Sequence, residues 1–359
     1  MKSASNPSLR AVKSLMRKMM ASSGRLFLVG LSVLGVVLVG CGTSDQDRAP
    51  EAVTLAMGFV PNVQFAPFYV AVEKGFFAEE GIQIEFDYGW ETDLLKLVGS
   101  GGRGTDPGLR FAIGSGDQVI LARSQGLPVV YVLNWYRRFP VCVVSLEETG
   151  IHGPEDLVGK RVGTPATYGA SYIGWRALLE AAGLDATTIE LISIGYTQVG
   201  AVSEGQVDAA LCYAMNEPVQ MQSAGQNVDV IYVADYANLV SNGLFTNEET
   251  IREDPELVQG MVRAALRGLA YTLEHPDEAF EISLEQVPEA ASGPESEAVN
   301  RAILEKSIEF WQAESGDLGW SNQVEWEAAL RIMQQMDLVK QGVDTASMFT
   351  NQFVEDARP

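Results

Sequence analysis

The chain has 359 residues, with 25 Lys and Arg against 47 Asp and Glu, and its formal net charge at pH 7 is −22. Nucleic acid and anionic lipid repel such an acidic chain, so neither is expected to bind it directly. It has three cysteines and two histidines, and none of them has the spacing of a metal site. We therefore predict no metal and no cofactor.

Residues 1–40 predict a lipoprotein signal peptide. Six basic and no acidic residues accompany an apolar stretch, Leu26 to Val39, which is shorter than the roughly 20 residues of a membrane-spanning helix and typical of an export signal. Leu38–Cys41 resembles the lipobox of bacterial lipoproteins, which implies lipidation of Cys41; an ordinary signal peptide is the alternative. We expect the protein at the outer face of the cell membrane, anchored through Cys41 and a tether over residues 41–52. Without residues 1–40 its net charge is −28.

Strand and helix signals then alternate along the chain. The first block is predicted as strand Val53–Phe59, helix Phe65–Glu79, strand Ile82–Tyr88, helix Asp93–Val98, strand Leu109–Ile113, helix Asp117–Gln125 and strand Val129–Trp135. The second block is predicted as strands Cys142–Leu146, Arg161–Gly163, Ile189–Ile194, Ala209–Tyr213 and Val228–Val233, with helices Ser171–Ala182 and Val199–Glu204. Helices alone follow: Glu256–Glu274, Pro276–Gln286, Glu295–Ala313 and Ser321–Met336. This order predicts an α/β fold with mostly parallel sheets flanked by helices.

The chain is too long for one compact core, so we expect two lobes. The simplest division gives lobe I residues 53–138 plus 245–359 and lobe II residues 139–244. The chain then crosses between the lobes twice, which predicts a hinge and a ligand cleft between them.

Two further features carry predictions of their own. The Gly99–Gly108 segment is too rich in glycine for regular structure and is predicted to be a flexible surface insertion; a phosphate-binding loop is the alternative, but no Lys-Ser/Thr pair follows it. Cys142 and Cys212 lie in apolar, strand-like runs and are predicted to be buried thiols, with a disulfide as the alternative.

Candidate ligand-binding residues come from the loops that follow the predicted strands, where α/β folds bind ligands. Aromatic side chains there can stack on a flat ring, and polar side chains can orient it. The predicted ligand-binding residues are Asn62, Trp90, Ser115, Asp117, Tyr136, Thr167, Tyr168, Ser171, Tyr196, Asn216 and Glu217. Ser115 and Asp117 have an alternative role as helix N-caps. Trp135 also lies in one of these aromatic loops, and its alternative role is that of a core residue.

Three stretches resemble one family of binding proteins, in the same order. The opening is Gly58–Asn62, Ala66–Ala71, Glu73–Phe77 and Glu80–Ile82; the middle stretch is Gly153–Gly163; the last is Glu204–Ala210 followed by Asn216-Glu217-Pro218. The family includes importer components for thiamine-precursor pyrimidines, riboflavin and alkanesulfonates, and a related eukaryotic pyrimidine synthase. The resemblance covers about residues 53 to 340, and the Gly99–Gly108 segment departs from it.

The resemblance implies a two-lobed, type II periplasmic-binding-protein-like fold and a role as the substrate-binding component of an ABC importer. Its partners would be a small-molecule ligand, a permease and an ATPase, and we expect a monomer. The aromatic loops favour a planar heterocycle, and the resemblance favours riboflavin; a thiamine-precursor pyrimidine and a sulfonate are the alternatives. A synthase-like enzyme is not expected, because the chain lacks that branch's cysteine-rich segment and both histidines, His152 and His275, lie outside the candidate loops.

Overall fold

Two five-stranded sheets organise the computed structural model, which describes residues 49–101, 108–312 and 318–357. The described strands are β1 (Glu51–Met57), β2 (Ile82–Tyr88), β3 (Phe111–Ser115), β4 (Val129–Asn134), β5 (Val141–Leu146), β6 (Arg161–Thr164), β7 (Glu190–Ser193), β8 (Ala209–Tyr213), β9 (Val228–Tyr232) and β10 (Asn242–Asn247). The predicted signal peptide, Cys41, most of the tether and residues 102–107 of the predicted insertion lie outside the described residues. Within the described part of the chain, no helix is both long enough and apolar enough to cross a membrane.

The first sheet has the order β2-β1-β3-β10-β4 and the second has the order β7-β6-β8-β5-β9. In each sheet four strands run in one direction, and a single strand, β10 or β5, runs antiparallel to both of its neighbours. The expectation of mostly parallel sheets is therefore confirmed. The chain passes from the first sheet to the second between β4 and β5, and it returns between β9 and β10.

Thirteen α-helices surround these sheets in the described residues. They are α1 (Ala66–Glu73), α2 (Phe76–Glu79), α3 (Glu91–Gly99), α4 (Gly116–Ser124), α5 (Gly169–Ala182), α6 (Gln198–Ser203), α7 (Glu217–Ser223), α8 (Glu248–Glu253), α9 (Pro255–Glu274), α10 (Pro276–Gln286), α11 (Pro294–Trp311), α12 (Gln323–Gln335) and α13 (Gln352–Glu355). Short 3-10 turns add Val63–Phe65, Glu147–Thr149, Pro154–Leu157, Ala186–Thr188, Val233–Asp235, Pro288–Ala291 and Thr345–Ser347.

One predicted helix needs correction, and one strand of the first sheet was missed. The single helix expected over Phe65–Glu79 is broken, because Gly75 adopts a left-handed conformation with φ of +74° and starts α2 on a new axis. Strand β10 was not predicted. Since β10 begins at Asn242, which pairs with Ser115 in the first sheet, residues 242–244 belong with lobe I rather than lobe II.

The apolar core forms two buried clusters, and each cluster contains residues from both sheets. One buried cluster packs Val53, Leu55 and Met57 of β1 together with Cys142 and Val144 of β5. The other contains Ala56 and Ala112 on the first sheet and Val141, Val143 and Leu211 on the second. Because both clusters extend through both lobes, burial of apolar surface couples the lobes as well as stabilising each of them.

Arg138 marks the first crossover between the lobes. Its guanidinium lies 4.8 Å from the ring centroid of Tyr232 on β9 and 5.5 Å from that of Phe310 on α11. Its Nη2 atom also donates to Asp235 at 2.5 Å. One side chain thus contacts both lobes at the hinge through cation–π and ionic interactions.

The two described cysteines are unoxidised and face each other. Cys142 and Cys212 are register partners on the antiparallel strands β5 and β8, their Sγ atoms are 3.3 Å apart, and both are buried. Burial raises the pKa of Cys212 well above the usual value of a thiol. The two cysteines therefore pack as small, buried core groups, in agreement with the first of the two interpretations of the sequence.

Candidate ligand-binding cleft

The main cavity lies between the two sheets, at the carboxyl ends of their parallel strands. Its empty volume is about 770 Å³, counting the part that is open to solvent. Lobe I contributes Gly58, Phe59, Gln64, Phe65, Trp90, Glu91, Thr92, Ile113, Gln118, Trp135 and Asn242, and lobe II contributes Pro165, Tyr168, Gly169, Ala170, Ser171, Tyr196, Gln198, Cys212, Tyr213, Asn216 and Glu217.

An aromatic rim surrounds the solvent side of this cavity. Trp90 of lobe I stacks on Tyr196 of lobe II, with centroids 4.6 Å apart and an interplanar angle of 13°. Tyr168 approaches Trp90 at 6.0 Å, and Phe59 meets Tyr196 edge-on at 5.0 Å. Trp90, Tyr168 and Tyr196 are 38%, 50% and 43% exposed, so large rings are presented to solvent at the cleft. These rings are available to stack on a flat ligand.

The local backbone conformation determines the positions of the three exposed rim residues. Trp90 has an extended conformation at the N-cap position of α3, directly after β2. Tyr168 occupies the same position before α5, and Gly169 follows it with φ of +82°. Tyr196 follows Gly195, whose φ is +63°. Two glycines in the left-handed region thus allow the turns that aim these tyrosines at the cleft.

The inner wall of the cavity is buried. Phe65 and Trp135 from lobe I form a tilted ring pair with centroids 5.8 Å apart, and their exposed fractions are 3% and 1%. Cys212 and Tyr213 from the end of β8 also line the cavity. The Tyr213 hydroxyl donates to Asn242 Oδ1 at 3.3 Å, which links the lobes at the base of the cleft.

A buried carboxyl pair lies behind the lobe I wall. The backbone N–H of Ser115 donates to Glu91 Oε1, and the Ser115 hydroxyl lies 2.7 Å from this same oxygen and within hydrogen-bond distance of Asp117 Oδ1. One hydroxyl proton cannot serve two carboxylates, so one carboxyl group must carry a proton. Burial and the neighbouring Glu91 raise the pKa of Asp117 to about 8, which makes Asp117 the protonated partner at pH 7.

Glycine residues make room for Glu91. A Cβ atom at Gly114 on β3 would lie 2.8 Å from Glu91 Cγ, and one at Gly58 would lie 3.2 Å from Glu91 Cβ. Glu91 is also at the first position of α3, where the helix dipole favours a negative charge. Burial raises the pKa of Glu91. The hydrogen bonds that the Ser115 N–H and hydroxyl donate to Glu91 oppose this effect, and so does the amide dipole of the nearby Gln118.

Glu217 is the corresponding carboxyl group of lobe II. It begins α7, directly before Pro218, and is 8% exposed. Its Oε2 atom accepts from the backbone N–H of Tyr213 at 3.3 Å. Burial raises the pKa of Glu217 to about 7, so this carboxyl is close to half ionised at neutral pH.

The charged side chains among the described lining residues of the cavity are all acidic. Glu91 and Glu217 line it, and the described lining residues include no Lys, Arg or His. Their other polar groups are neutral amides and hydroxyls. Such a wall suits hydrogen-bond donors and neutral acceptors, and it disfavours an anionic group because a buried anion here has no cationic partner.

The structure brings six of the eleven predicted site residues to the cavity: Trp90, Tyr168, Ser171, Tyr196, Asn216 and Glu217. The other five do not line it. Ser115 and Asp117 are fully buried behind Glu91, and Tyr136 lies in the core against Trp135 and donates to Gln64. Thr167 is exposed one residue before the rim. Asn62 caps a 3-10 turn and donates to Asn216 Oδ1 at 3.3 Å, which joins the lobes outside the cavity.

Sequence reasoning missed several lining residues. Glutamines dominate this group, and the missed polar residues are Gln64, Glu91, Thr92, Gln118, Gln198 and Asn242. Glu91 and Thr92 directly follow Trp90 in a loop that was already singled out, so that loop carried a usable signal. The glutamines are on helices and turns with no distinguishing pattern, and only the fold brings them together.

Comparisons with known proteins agree with this architecture. A family model described as NMT1/THI5 like matches residues 62–279. The chain is 42% identical over 307 residues to the riboflavin-binding protein RibY of Chloroflexus aurantiacus, covering 85% of this chain and 86% of that protein. It is 29% identical over 328 residues to the formylaminopyrimidine-binding protein of Halalkalibacterium halodurans, covering 89% and 96%. The periplasmic aliphatic sulphonate binding protein SsuA of Escherichia coli has the same fold, with a TM-score of 0.65 at 14% identity over 84% of this chain and 92% of that one.

Two α/β lobes, a double crossover and an interlobe cavity define the two-lobed fold of periplasmic binding proteins. Within that class, the chain belongs to the NMT1/THI5-like family.

Proposed function

We propose that this protein is the extracytoplasmic substrate-binding component of an ABC importer and that its ligand is riboflavin. The observation that carries the proposal is the interlobe cavity, with aromatic rings from both lobes at its rim and no cationic side chain among its described lining residues. The relative with 42% identity is named for riboflavin binding, which supports the same ligand.

Stacking provides much of the expected affinity. The planes of Trp90 and Tyr196 are in direct contact, and a flat ring between them requires about 7 Å, twice the ~3.5 Å contact distance of carbon atoms. A small opening of the lobes provides this space, and closure on the ligand then restores ring contact on both faces. Each base–aromatic contact contributes roughly 1–3 kcal/mol, so the contacts with Trp90 and Tyr196 together contribute about 2–6 kcal/mol. The inner wall and hydrogen bonds then have to contribute the rest of the ~8 kcal/mol of micromolar binding.

The alternative ligands fit the cavity less well. A sulfonate is a compact anion, and the described lining residues offer it two carboxyl groups and no cation. A thiamine-precursor pyrimidine is compatible with the polar groups, and the relative with 29% identity is named for formylaminopyrimidine. A pyrimidine, however, has a single ring, whereas a tricyclic flavin with its sugar chain offers more ring surface to the aromatic rim and the inner wall.

The proposed role is binding without chemistry. In the synthase branch that the sequence resembles, a histidine takes part in the reaction, but neither His152 nor His275 lines this cavity. Among the described residues, no cluster of His, Cys, Asp or Glu is arranged to hold a metal ion. The remaining parts of the proposal are a permease and an ATPase as partners, a monomeric state, and attachment to the outer face of the membrane through lipidated Cys41.

A binding screen tests the ligand directly. The purified protein is titrated with riboflavin, with formylaminopyrimidine and with an alkanesulfonate, and flavin fluorescence and thermal unfolding are recorded. We expect flavin fluorescence to be quenched at micromolar concentrations, because the isoalloxazine stacks on the rim. No quenching together with a thermal shift from the pyrimidine would replace riboflavin with the alternative, and turnover of any of these compounds would contradict a pure binding role.

A further inference from the structure

Gln118 has an unpaired hydrogen-bond donor on the inner wall of the cavity. Its side chain, in the first turn of α4, lines the cavity although it is only 3% exposed. The Thr92 hydroxyl donates to Gln118 Oε1 at 2.6 Å, which holds the amide plane in one orientation. Its Nε2 atom is buried and has no hydrogen-bond partner. A buried donor without a hydrogen-bond partner is unusual, because nearly all buried polar groups in proteins are paired.

The surroundings of Nε2 leave the cavity as the remaining source of an acceptor. Glu91 is close enough for the Gln118 amide to lower the pKa of this carboxyl, but the two groups do not form a hydrogen bond that satisfies Nε2. The Oε1 atom of Glu91 already accepts from the Ser115 hydroxyl. Trp135, on the same wall, also has a buried indole N–H without a partner. Two unpaired donors on one wall favour a ligand that presents acceptor atoms there.

Gln198 provides the contrast on the opposite lobe. It also lines the cavity and is also 3% exposed. Its Nε2 atom, however, donates to the backbone carbonyl of Leu211 at 3.4 Å. Two glutamines with the same burial in the same cavity therefore differ in whether their donor is already used inside the protein.

We propose that Gln118 is a specificity-determining residue and that its Nε2 donates to a ring carbonyl oxygen of a neutral heterocyclic ligand. This inference rests on the proposed function, since riboflavin carries such carbonyl groups on its pyrimidine ring. The contact orients that edge of the heterocycle toward the inner wall, between Glu91 and Trp135. The aromatic rim then holds the remaining part of the ring system, so stacking provides affinity while Gln118 selects the correct orientation and chemistry.

The test is isothermal titration of riboflavin into the wild-type protein, Gln118→Met and Gln259→Met at pH 8. We expect Gln118→Met to bind roughly 10- to 100-fold more weakly, because the ligand carbonyl is then buried without a donor. Gln259→Met on α9 is the control outside the cavity; Gln259 Nε2 donates to the backbone carbonyl of Phe353 at 2.9 Å, so this variant should keep affinity within about 3-fold and lose thermal stability instead. A second variant, Gln118→Glu, keeps the shape and removes the amide donor, and it should also bind at least ~10-fold more weakly.

The outcomes distinguish a failure of the role of Gln118 from a failure of the proposed function. Wild-type affinity in Gln118→Glu or Gln118→Met, with riboflavin still bound by the wild-type protein, would overturn the role of Gln118 and leave the proposed function intact. An equal loss in Gln259→Met would also overturn it, because the effect would then reflect a general loss of stability rather than a lost contact with the ligand. Absence of riboflavin binding by the wild-type protein would overturn both.

Discussion

Substitution of Glu217 by glutamine tests how burial acts on the carboxyl group of lobe II. The side chain is 8% exposed, and its pKa rises from the ordinary 4.5 to about 7 in the folded protein because burial disfavours the charged form. The folded state therefore binds a proton more tightly than the unfolded state does. Stability is consequently lost as the pH rises from about 4.5 to 7, and the loss is complete above pH 7.

The magnitude follows from the two pKa values. Each pKa unit corresponds to ~1.4 kcal/mol, so ionised Glu217 lowers the free energy of unfolding by about 3 kcal/mol at pH 8 and by about 1 kcal/mol at pH 5. The glutamine side chain in the variant has no charge to bury, and its oxygen can still accept from the backbone N–H of Tyr213, as the carboxyl of Glu217 does. We therefore expect Glu217→Gln to be more stable than the wild-type protein at pH 8, with a much smaller gain at pH 5.

Urea unfolding of both proteins at pH 5 and pH 8, without ligand, measures this difference. Glu204→Gln is a suitable control, because Glu204 is exposed and directly precedes Gly205 at the end of α6. The control removes an exposed carboxyl group in place of a buried one. If the stability difference between Glu217→Gln and the wild-type protein were the same at both pH values, Glu217 would not titrate as its burial requires and the reasoning would fail.

Three further predictions concern the rim, the helix packing and the charge of the cavity. Trp90→Ala should weaken riboflavin binding roughly 10- to 100-fold in a fluorescence titration because one stacking surface is lost, and Trp90→Phe should retain most of the affinity; equal affinity in Trp90→Ala would remove Trp90 from the site. Gly268→Ala should destabilise the protein by about 2–3 kcal/mol in urea, because its Cβ would lie 2.1 Å from the Pro67 carbonyl oxygen. Gly260→Ala on the same helix meets only the end of the Ile82 side chain at 3.1 Å and the Glu80 side chain at 3.2 Å and should be nearly neutral; a similar loss in both would contradict the packing argument. Riboflavin 5′-phosphate should bind at least ~10-fold more weakly than riboflavin in calorimetry, since the described lining residues offer no cation to its phosphate, and equal affinity would place that end of the ligand outside the cavity.

Local patterns in the sequence were enough to predict most elements. The strict alternation of Ile82–Tyr88 predicted β2 with the same bounds as the structure, and the apolar run Ala209–Tyr213 predicted β8. Strand β10 escaped prediction because Asn242–Asn247 contains Asn and Gly, and because its pairing partners, β3 and β4, are more than 100 residues earlier in the chain. A strand of this kind is specified by its neighbours in the sheet rather than by its own composition.

The candidate site shows the same division between local and long-range information. Trp90, Tyr168 and Tyr196 could be selected because they follow strands in turns that the sequence marks. Asp117 and Gln118, in contrast, are adjacent on α4, where successive side chains point about 100° apart. The direction of that helix sends Asp117 into the interior beside Glu91 and Gln118 into the cavity, and no property of the two residue types shows which one faces the ligand.

The sequence by itself determined the alternation of strands and helices, the two-lobed α/β class and the loops that carry the aromatic rim, because each of these depends on periodicity and turn residues within a short stretch of chain. Only the tertiary structure decided which polar side chains share the cavity, that the lobes meet through Trp90 and Tyr196, and that Gln118 retains an unpaired donor. These features depend on contacts between residues far apart in the chain, and such contacts exist only after the two sheets and the helices around them have packed together.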